Sequence, residues 1–246
     1  MKTLNVRLFS IALCFVPTSA LWASIPVTQG EITGNIGVYS SYNLRGMTND
    51  PENSKTTVQG GLTYSHASGV SIGYWGSTLD YSLSSNANHQ DDSFESNLTA
   101  SYDYKLNKDS SLTLGATYYY YYPADDANVL ESLLAFNYKN ASLSAQTLTK
   151  DVVWGNAGDT YLLASYSHDL PKDFSLNTAL GAYYYNKEGK FISETKEKFA
   201  FRHATLGLAK AWDNGLAWNL DYIVGGDDRM GVKQKNKVVM GLNYSF

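Results

Sequence analysis

The sequence predicts an all-β fold, a transmembrane antiparallel β-barrel of about twelve strands with short periplasmic turns and long extracellular loops. Three observations lead to this prediction. Apolar residues recur at every second position in segments of about nine to thirteen residues, which is the period of a strand with one apolar and one polar face. The connections between these segments alternate between long and short, and aromatic residues gather at the segment ends.

Residues 1–23 have the composition of a secretory signal peptide. Lys2 and Arg7 precede the apolar stretch LFSIALCFV, and the small residues of TSALWAS follow it. This stretch is too short to span a bilayer as a helix, so we expect export with cleavage after Ala20 or Ala23.

The rest of the chain, residues 24–246, reads as one barrel domain with no linker or low-complexity spacer. The only cysteine, Cys14, is lost with the signal peptide, which excludes a domain held by disulfides. Removing Lys2 and Arg7 as well leaves 17 basic against 23 acidic residues, a net charge near −6. An acidic chain of this kind disfavours nucleic acid as a partner.

Twelve segments show the strand pattern, and none shows a convincing apolar stripe of helical period. In the first segment Ile32, Ile36 and Val38 alternate with polar or small residues. A count of ten strands is the alternative. The stretches that carry the alternation in these segments, in order, are ITGNIGVY, VQGGLTYS, VSIGY, FESNLTASYD, SLTLGATYYYYY, VLESLLAFNYK, ASLSAQTL, TYLLASYSH, FSLNTALGAYYY, FRHATLGLAKAW, LAWNLDYIV and KVVMGLNYSF.

The connections between the segments identify the class of barrel. In order they are LRGMTNDPENSK, HASG, SSNANHQDD, KLNKDS, PADDAN, KN, TKDVVWGNAGD, DLPKD, NKEGKFISETKEK, DNG and GGDDRMGVKQKNK. Long and short connections alternate as in bacterial outer-membrane barrels, whose loops are long outside and whose turns are tight on the periplasmic side. An even number of strands then puts both termini in the periplasm.

Aromatic residues lie at the two ends of the predicted strands, where rings favour the membrane interfaces. Beside the short turns are Tyr64, Tyr102, Tyr104, Tyr138, Tyr166, Trp212 and Trp218. Toward the long loops are Tyr118 to Tyr122, Tyr183 to Tyr185 and Tyr222. Tyrosine is also a good strand former, but clustering at both strand ends favours two aromatic girdles.

Polar residues on the inward phase of the strands are the candidate lining of a pore. They are Asn35, Gln59, Glu95, Asn97, Asp103, Asn219 and Asp221, with Arg45 at the end of the first strand. Such residues either plug a small barrel or line a narrow aqueous path. A barrel of twelve strands lies in size between barrels whose lumen side chains fill and barrels that enclose an open channel. We favour the narrow path. More carboxylates than bases suggest a mild preference for cations.

Two basic positions allow more than one interpretation. Arg45 either folds inward at a constriction or lies at the rim, paired with a loop acid or a lipid phosphate. In FRHATLGLAKAW the phase of Phe201 does not match that of Leu206, and a β-bulge would reconcile them. The directions of Arg202 and His203 are therefore left open.

The last strand resembles the recognition signal of bacterial outer-membrane proteins. Apolar residues occupy every second position and the chain ends on an aromatic ring, which implies recognition by the barrel-assembly machinery. The residues are Val238, Met240, Leu242, Tyr244 and Phe246.

The segment GVYSSYNLRGMT, with Ser40, Tyr42, Arg45 and Gly46, resembles the opening of the TorF-type porin family. The stretch VQGGLTYSHASGVSIGYWGS continues the resemblance, which is clearest over residues 34–80. The family usually has Asp where Ser41 stands here. Further matching residues are Gln59, Gly60, Gly61, Tyr64, Gly69, Gly76 and Ser77. The resemblance implies a porin-type barrel in the bacterial outer membrane and names no solute.

The expected function is passive diffusion of small hydrophilic solutes across the outer membrane of a Gram-negative bacterium. Outer-membrane lipid and lipopolysaccharide would surround the barrel, as a monomer or a trimer. The alternatives are a closed barrel with a binding or envelope-structural role and, less favoured, an outer-membrane enzyme that modifies lipid. No catalytic motif or metal-ligand spacing is present among the four histidines, so we expect no enzyme, no metal and no cofactor.

Overall fold

A computed structural model describes residues 25–27, 29–49, 55–79, 94–122 and 124–246. The predicted signal peptide and the predicted loop SSNANHQDD lie outside these residues. Within them, the chain forms a closed antiparallel barrel of twelve strands, as the sequence predicts, rather than ten. In the same part of the chain, no helix is long and apolar enough to cross a bilayer.

The strands are numbered in chain order, and β2 to β13 form the barrel. Their bounds are β1 (Ile25–Val27), β2 (Gly30–Tyr39), β3 (Thr57–His66), β4 (Val70–Thr78), β5 (Phe94–Lys105), β6 (Ser110–Tyr122), β7 (Val129–Tyr138), β8 (Ala141–Leu148), β9 (Thr160–Leu170), β10 (Phe174–Tyr184), β11 (Phe199–Ala211), β12 (Leu216–Gly225) and β13 (Lys237–Ser245). A short 3₁₀ turn, Asp125–Ala127, precedes β7.

Each barrel strand pairs with the next, and β13 closes the ring on β2. The register of the seam runs from Gly241 opposite Tyr39 to Ser245 opposite Asn35. The sequence did not predict the short strand β1. It pairs with the start of β2, from Ile25 opposite Ile32, and so continues the seam where β13 ends.

Side chains alternate between the outside of the barrel and its lumen. On β13, the outward residues are exposed, whereas Val239 between them is buried. The five residues of the predicted C-terminal signal, Val238, Met240, Leu242, Tyr244 and Phe246, all belong to this outward set. An apolar exterior around a sheet with no open edge is the solution that a bilayer permits, because every backbone hydrogen bond stays within the barrel.

Two aromatic girdles are present, but four rings predicted to belong to the girdle at the long loops instead face the lumen, because alternate residues of a strand point inward: Tyr119, Tyr121, Tyr183 and Tyr185. Exposed rings at the end of the barrel with tight turns, here called the short-turn end, are Tyr102, Tyr104, Tyr138, Tyr166 and Trp212. Exposed rings at the opposite, long-loop end are Tyr118, Tyr120, Tyr122, Tyr184 and Tyr222. The rings therefore flank a band of aliphatic residues, as in transmembrane barrels.

A β-bulge occurs in β11, as the phase of its sequence predicts. Gly181 of β10 lies opposite His203, and the next pair is Ala182 with Phe201, so Arg202 is the extra residue. Both Arg202 and His203 are buried, which gives them the inward direction that the sequence left open. Bulges of this kind re-aim side chains and are frequent near functional sites.

Candidate functional site

The part of the β2–β3 connection that the structure describes after β2 folds into the barrel instead of lying over its rim. Its residues 41–49, here called the inward segment, include the buried side chains of Ser41, Tyr42, Arg45 and Thr48. From β2 the segment reaches side chains of β7, β9, β10 and β11, on the far side of the ring of strands. It therefore crosses the lumen.

A left-handed turn lets the inward segment reverse direction. Arg45 and Gly46 have φ angles of +51° and +72°, and the Met47 amide donates to the Leu44 carbonyl at 2.9 Å. Gly46 lies against the His203 ring, where a Cβ atom would come within 2.5 Å of the His203 Cβ. Only glycine fits this combination of backbone angle and close approach.

At the tip of the inward segment, Arg45 makes a two-pronged ion pair with Glu131 of β7. Nη1 donates to Oε1 at 2.9 Å and Nη2 to Oε2 at 2.5 Å. Arg45 also donates to the Tyr183 hydroxyl at 2.8 Å and to the Tyr119 hydroxyl at 3.1 Å. The Tyr161 ring lies 4.9 Å from the guanidinium carbon, a distance at which the ring quadrupole attracts a cation.

The Arg45–Glu131 pair is shielded from water, because Arg45 is 2% and Glu131 is 1% exposed. Burial of two charges costs desolvation energy, which the parallel hydrogen bonds and the tyrosine hydroxyls offset. Removal of one partner from such a pair typically costs about 3–5 kcal/mol, since the other charge is left buried alone. The pair therefore fixes the inward segment at one position in the lumen.

The bulged strand β11 supports the other side of the inward segment. Arg202 donates from Nε to the Arg45 carbonyl at 3.2 Å. The ring of His203 hydrogen bonds through Nε2 to the Tyr161 hydroxyl at 2.7 Å and through Nδ1 to Thr205 at 3.1 Å. The wall at this height is thus a hydrogen-bonded layer of aromatic and basic side chains.

A second carboxylate, Glu95 of β5, holds the start of the inward segment. The Tyr42 hydroxyl donates to Glu95, and the Asn97 amide donates to it at 2.7 Å. Tyr42 also belongs to an apolar cluster at the long-loop end. The other buried members of that cluster are Leu79, Tyr119, Tyr121, Ala124, Ala127, Val129, Leu148 and Val152.

The loops at the long-loop end are fastened to one another. Asp159 accepts from the Asn156 amide at 2.8 Å and the Asn186 amide at 2.7 Å, and it pairs with Arg229. The guanidinium of Arg229 lies 4.7 Å from the centre of the Tyr185 ring. Asp159 therefore joins the loops that follow β8, β10 and β12.

Asp151 makes a further link between two of these loops. Its carboxylate accepts from the backbone amide of Ala157 at 2.7 Å and from that of Lys190 at 2.8 Å. These backbone hydrogen bonds favour the charged form and lower the pKa of the Asp151 carboxyl. The inward segment joins the same assembly, because the Thr48 amide donates to Gln234 at 3.1 Å.

All the pore-lining candidates on strands lie on the inner wall, and their role in a pore stays a prediction. Gln59, Glu95, Asn97, Asn219 and Asp221 are buried. Asn35 and Asp103 are half-buried, toward the short-turn end, where Asp103 accepts from Thr113 at 2.8 Å. The lumen is thus closely packed around the inward segment and more open toward the short turns.

Arg45 adopts the inward position, one of the two that the sequence allowed. The sequence did not predict that Glu131 and the tyrosines Tyr119, Tyr161 and Tyr183 would surround it. Glu131 is the one charge in the apolar run VLESLLAF, and a charge isolated in this way was the signal available. The tyrosines gave no such signal, because tyrosine is common throughout the chain.

Two of the described histidines form side-chain hydrogen bonds. His203 contacts Tyr161 and Thr205 rather than a serine. His66 hydrogen bonds to Ser68 at 2.7 Å in an exposed turn at the short-turn end. Among the described residues, no three His, Cys, Asp or Glu side chains are arranged to hold a metal ion.

Comparison with solved structures identifies the fold. A KdgM porin matches with a TM-score of 0.53 at 12% identity, over 87% of this chain and 98% of the porin. A structure described as KdgM porin in complex with disordered oligogalacturonate gives 0.51 at 12% identity, with the same coverage. The outer membrane channel DcaP of Acinetobacter baumannii gives 0.42 at 12% identity, over 91% and 83% of the two chains.

At this level of identity the similarity shows the fold alone, which is that of an outer-membrane porin barrel. No curated protein matches the sequence. A family model does match, over residues 23–243, and therefore over nearly all of the predicted mature domain. The chain belongs to the family described as "Bacterial protein of unknown function (Gcw_chp)".

Proposed function

We propose that this protein is an outer-membrane channel for passive diffusion of small hydrophilic solutes, with the inward segment as its constriction. The observation that carries the proposal is the Arg45–Glu131 pair, which holds a loop across a polar lumen inside an apolar barrel. Narrowing of a barrel by an inward loop, with fixed charges at the narrowest point, is a general way to select solutes by size and charge.

The same proposal covers location and assembly. Residues 1–23 would be removed on export, and residues 24–246 would insert with the short-turn end and both termini in the periplasm. The assembly machinery would read the outward face of β13, and lipid and lipopolysaccharide would contact the apolar exterior. Membership of the TorF-type porins, which the opening segment resembles, is part of this proposal. The role is transport rather than catalysis.

A closed barrel with a structural or binding role is the second candidate. Its support is the depth at which Arg45 is buried among Glu131, Tyr119 and Tyr183, because a layer packed in this way leaves little room for water. The two candidates differ in whether the inward segment lets ions pass while it stays in place.

Single-channel recording separates these candidates. The mature protein is refolded in detergent, its folding is verified by a heat-dependent shift in gel mobility, and it is then inserted into a planar lipid bilayer in KCl. Discrete current steps support a channel. A wild-type protein that inserts without steps, together with steps from Arg45→Ala, would mean that the inward segment is a plug.

A further inference from the structure

Arg202 carries a buried positive charge that no described carboxylate pairs. It is 3% exposed, and its Nη1 atom has no hydrogen-bond partner. Within the part of the chain that the structure describes, the one hydrogen bond of its guanidinium runs from Nε to the Arg45 carbonyl. Burial of a charged group without a partner is costly, so such groups deserve a functional explanation.

The backbone around Arg202 is held in place, so the direction of the side chain is not accidental. The bulge opposite Gly181 and Ala182 inserts Arg202 as an extra residue. The Gly226 amide donates to the Arg202 carbonyl at 2.8 Å, and the Asp227 amide donates to the Phe201 carbonyl at 2.8 Å. The start of the β12–β13 loop therefore clamps the bulge while the guanidinium points into the lumen.

The other guanidinium groups nearby are already neutralised. Arg45 pairs with Glu131, and Arg229 pairs with Asp159. Another buried carboxylate near the inward segment, that of Glu95 on β5, accepts hydrogen bonds from Tyr42 of the segment and from Asn97 of the same strand. Among the described residues at the constriction, Arg202 is thus the arginine that has no carboxylate beside it.

We propose that Arg202 is an anion-binding residue of the constriction and that its ligand is the carboxylate of a small organic acid. Its physiological meaning rests on the proposed channel function, because the ligand would be a permeating solute. With Nε occupied by the Arg45 carbonyl, Nη1 and Nη2 form the end of a planar fork that matches two carboxylate oxygens.

Access to Arg202 requires a local shift of the Arg45 carbonyl and Gly46 away from β11, while the Arg45 side chain stays paired with Glu131. The Arg45 carbonyl and Gly46 lie against Arg202 and His203, so they cover the route to the fork. The stacked rings of Tyr183 and Tyr185, with centroids 4.8 Å apart, supply an apolar surface on the neighbouring strand for the carbon skeleton.

Isothermal titration of succinate into the refolded protein, in detergent and phosphate-free buffer, tests binding whether or not the barrel conducts. Succinamide, the neutral diamide of the same skeleton, is the matched ligand. The variants are Arg202→Gln, which removes the charge, and Arg202→Lys, which keeps it. Lys233→Gln removes one charge from an exposed loop residue and serves as the protein control. Heat-dependent gel mobility verifies that each variant is folded.

We expect saturable binding of succinate and none of succinamide. Arg202→Gln should weaken succinate binding at least about tenfold, as expected for loss of a charge-assisted hydrogen bond. Arg202→Lys should keep a measurable part of it, and Lys233→Gln should bind like the wild type. No binding by the wild type, or equal binding by Arg202→Gln, would overturn the proposal. Absence of current steps in a protein that binds succinate would instead refute the channel function alone.

Discussion

The guanidinium of Arg45 and the carboxylate of Glu131, 86 residues apart in sequence, meet inside the barrel through two hydrogen bonds of 2.9 and 2.5 Å. The first comes from a loop and the second from the far wall. Because both are almost fully buried, the position of the loop depends on the pair. The width of the lumen therefore depends on it too.

Removal of either member of this pair should widen the constriction. Arg45→Ala or Glu131→Ala leaves one buried charge unpaired, at a cost of about 3–5 kcal/mol, and the inward segment can relieve that cost by leaving the lumen. We expect larger single-channel conductance for each variant. The double variant should conduct no more than either single one, because the two residues act as a unit.

Asp103→Ala is the matched control for the pair. It removes a lumen carboxylate that bonds to Thr113 and that makes no contact with the inward segment. Its conductance should stay closer to the wild-type value than that of Glu131→Ala. Equal increases for the two variants would mean that charge removal, and not release of the segment, widens the path.

Gly46 provides a second and independent way to displace the inward segment. Gly46→Ala introduces a Cβ atom within 2.5 Å of His203 at a φ angle of +72°. Gly231→Ala is the control, since its φ of +73° is nearly the same and its nearest neighbour lies 3.6 Å away. Both variants bear a backbone cost of about 1–2 kcal/mol. Only Gly46→Ala should also raise the conductance, and a similar rise in both would contradict the packing of Gly46 on His203.

The exterior of the barrel was predictable because its information is local. Alternation along β13 identifies the outward residues, and the mismatch in phase between Phe201 and Leu206 identifies the bulge. Each signal lies within fewer than about ten neighbouring residues. The period of two residues in a strand is then enough to tell which side chains point outward and which point inward. The strand β1 escaped prediction because three residues are too few to show a period.

The constriction was not predictable in the same way, because it depends on contacts across the ring. On β7 the inward Val129 and Leu133 are as apolar as the outward Leu130 and Leu134. The reason is that the lumen at the long-loop end is filled by an apolar cluster rather than by water. Because both faces of β7 are apolar there, the sequence pattern does not show that Glu131 points inward. The residues next to Arg45 in the sequence do not indicate its partner, so the sequence allowed both an inward and a rim position for Arg45.

The seam between β13 and β2 depends on Gly34. Its amide donates to the Phe246 carbonyl at 2.7 Å, its carbonyl accepts from the Phe246 amide at 2.9 Å, and the ring of Phe246 covers it. A Cβ atom on residue 34 would lie 2.5 Å from that ring. We expect Gly34→Val to lower the free energy of unfolding by about 1–3 kcal/mol, and therefore to lower the urea concentration at which the refolded barrel unfolds.

The control for the seam is Gly73→Val, on the inner wall of β4, where the nearest atom is the Thr63 hydroxyl oxygen at 3.2 Å. This variant should be less destabilised than Gly34→Val.

A separate measurement addresses the predicted insertion signal. Phe246→Ala should reduce the fraction of the protein recovered in the outer membrane of cells, and unchanged recovery would argue against a role of the final ring in assembly.

Asp159 should determine how firmly the long loops hold together. Asp159→Ala removes an acceptor for two backbone amides and the partner of Arg229, which should free the lysine-rich loop after β10. We expect faster cleavage of that loop by trypsin in the folded protein. Asp126→Ala is the control, because the Asp126–Lys190 pair is exposed and 3.8 Å long, and exposed pairs contribute little. Equal cleavage rates for the two variants would contradict a role of Asp159 in holding these loops together.

Asp151 should make part of the same assembly sensitive to acid. Hydrogen bonds from the backbone amides of Ala157 and Lys190 lower the pKa of this carboxyl below the usual 3.8. A depressed pKa in the folded state means that the stabilisation is present above the usual pKa and is lost as the pH falls through the lowered one. Trp154, which donates to the Ala127 carbonyl at 2.9 Å, lies in the Asp151 loop and can report the change.

The expected result is a fluorescence transition with a midpoint below pH 3.8, recorded as the difference between the wild type and Trp154→Phe. Asp151→Asn should abolish this transition, because its amide does not titrate and accepts the two hydrogen bonds less strongly at every pH. The transition should also leave the gel mobility of the barrel unchanged, since the strands do not depend on Asp151. Persistence of the transition in Asp151→Asn would assign it to another carboxyl group.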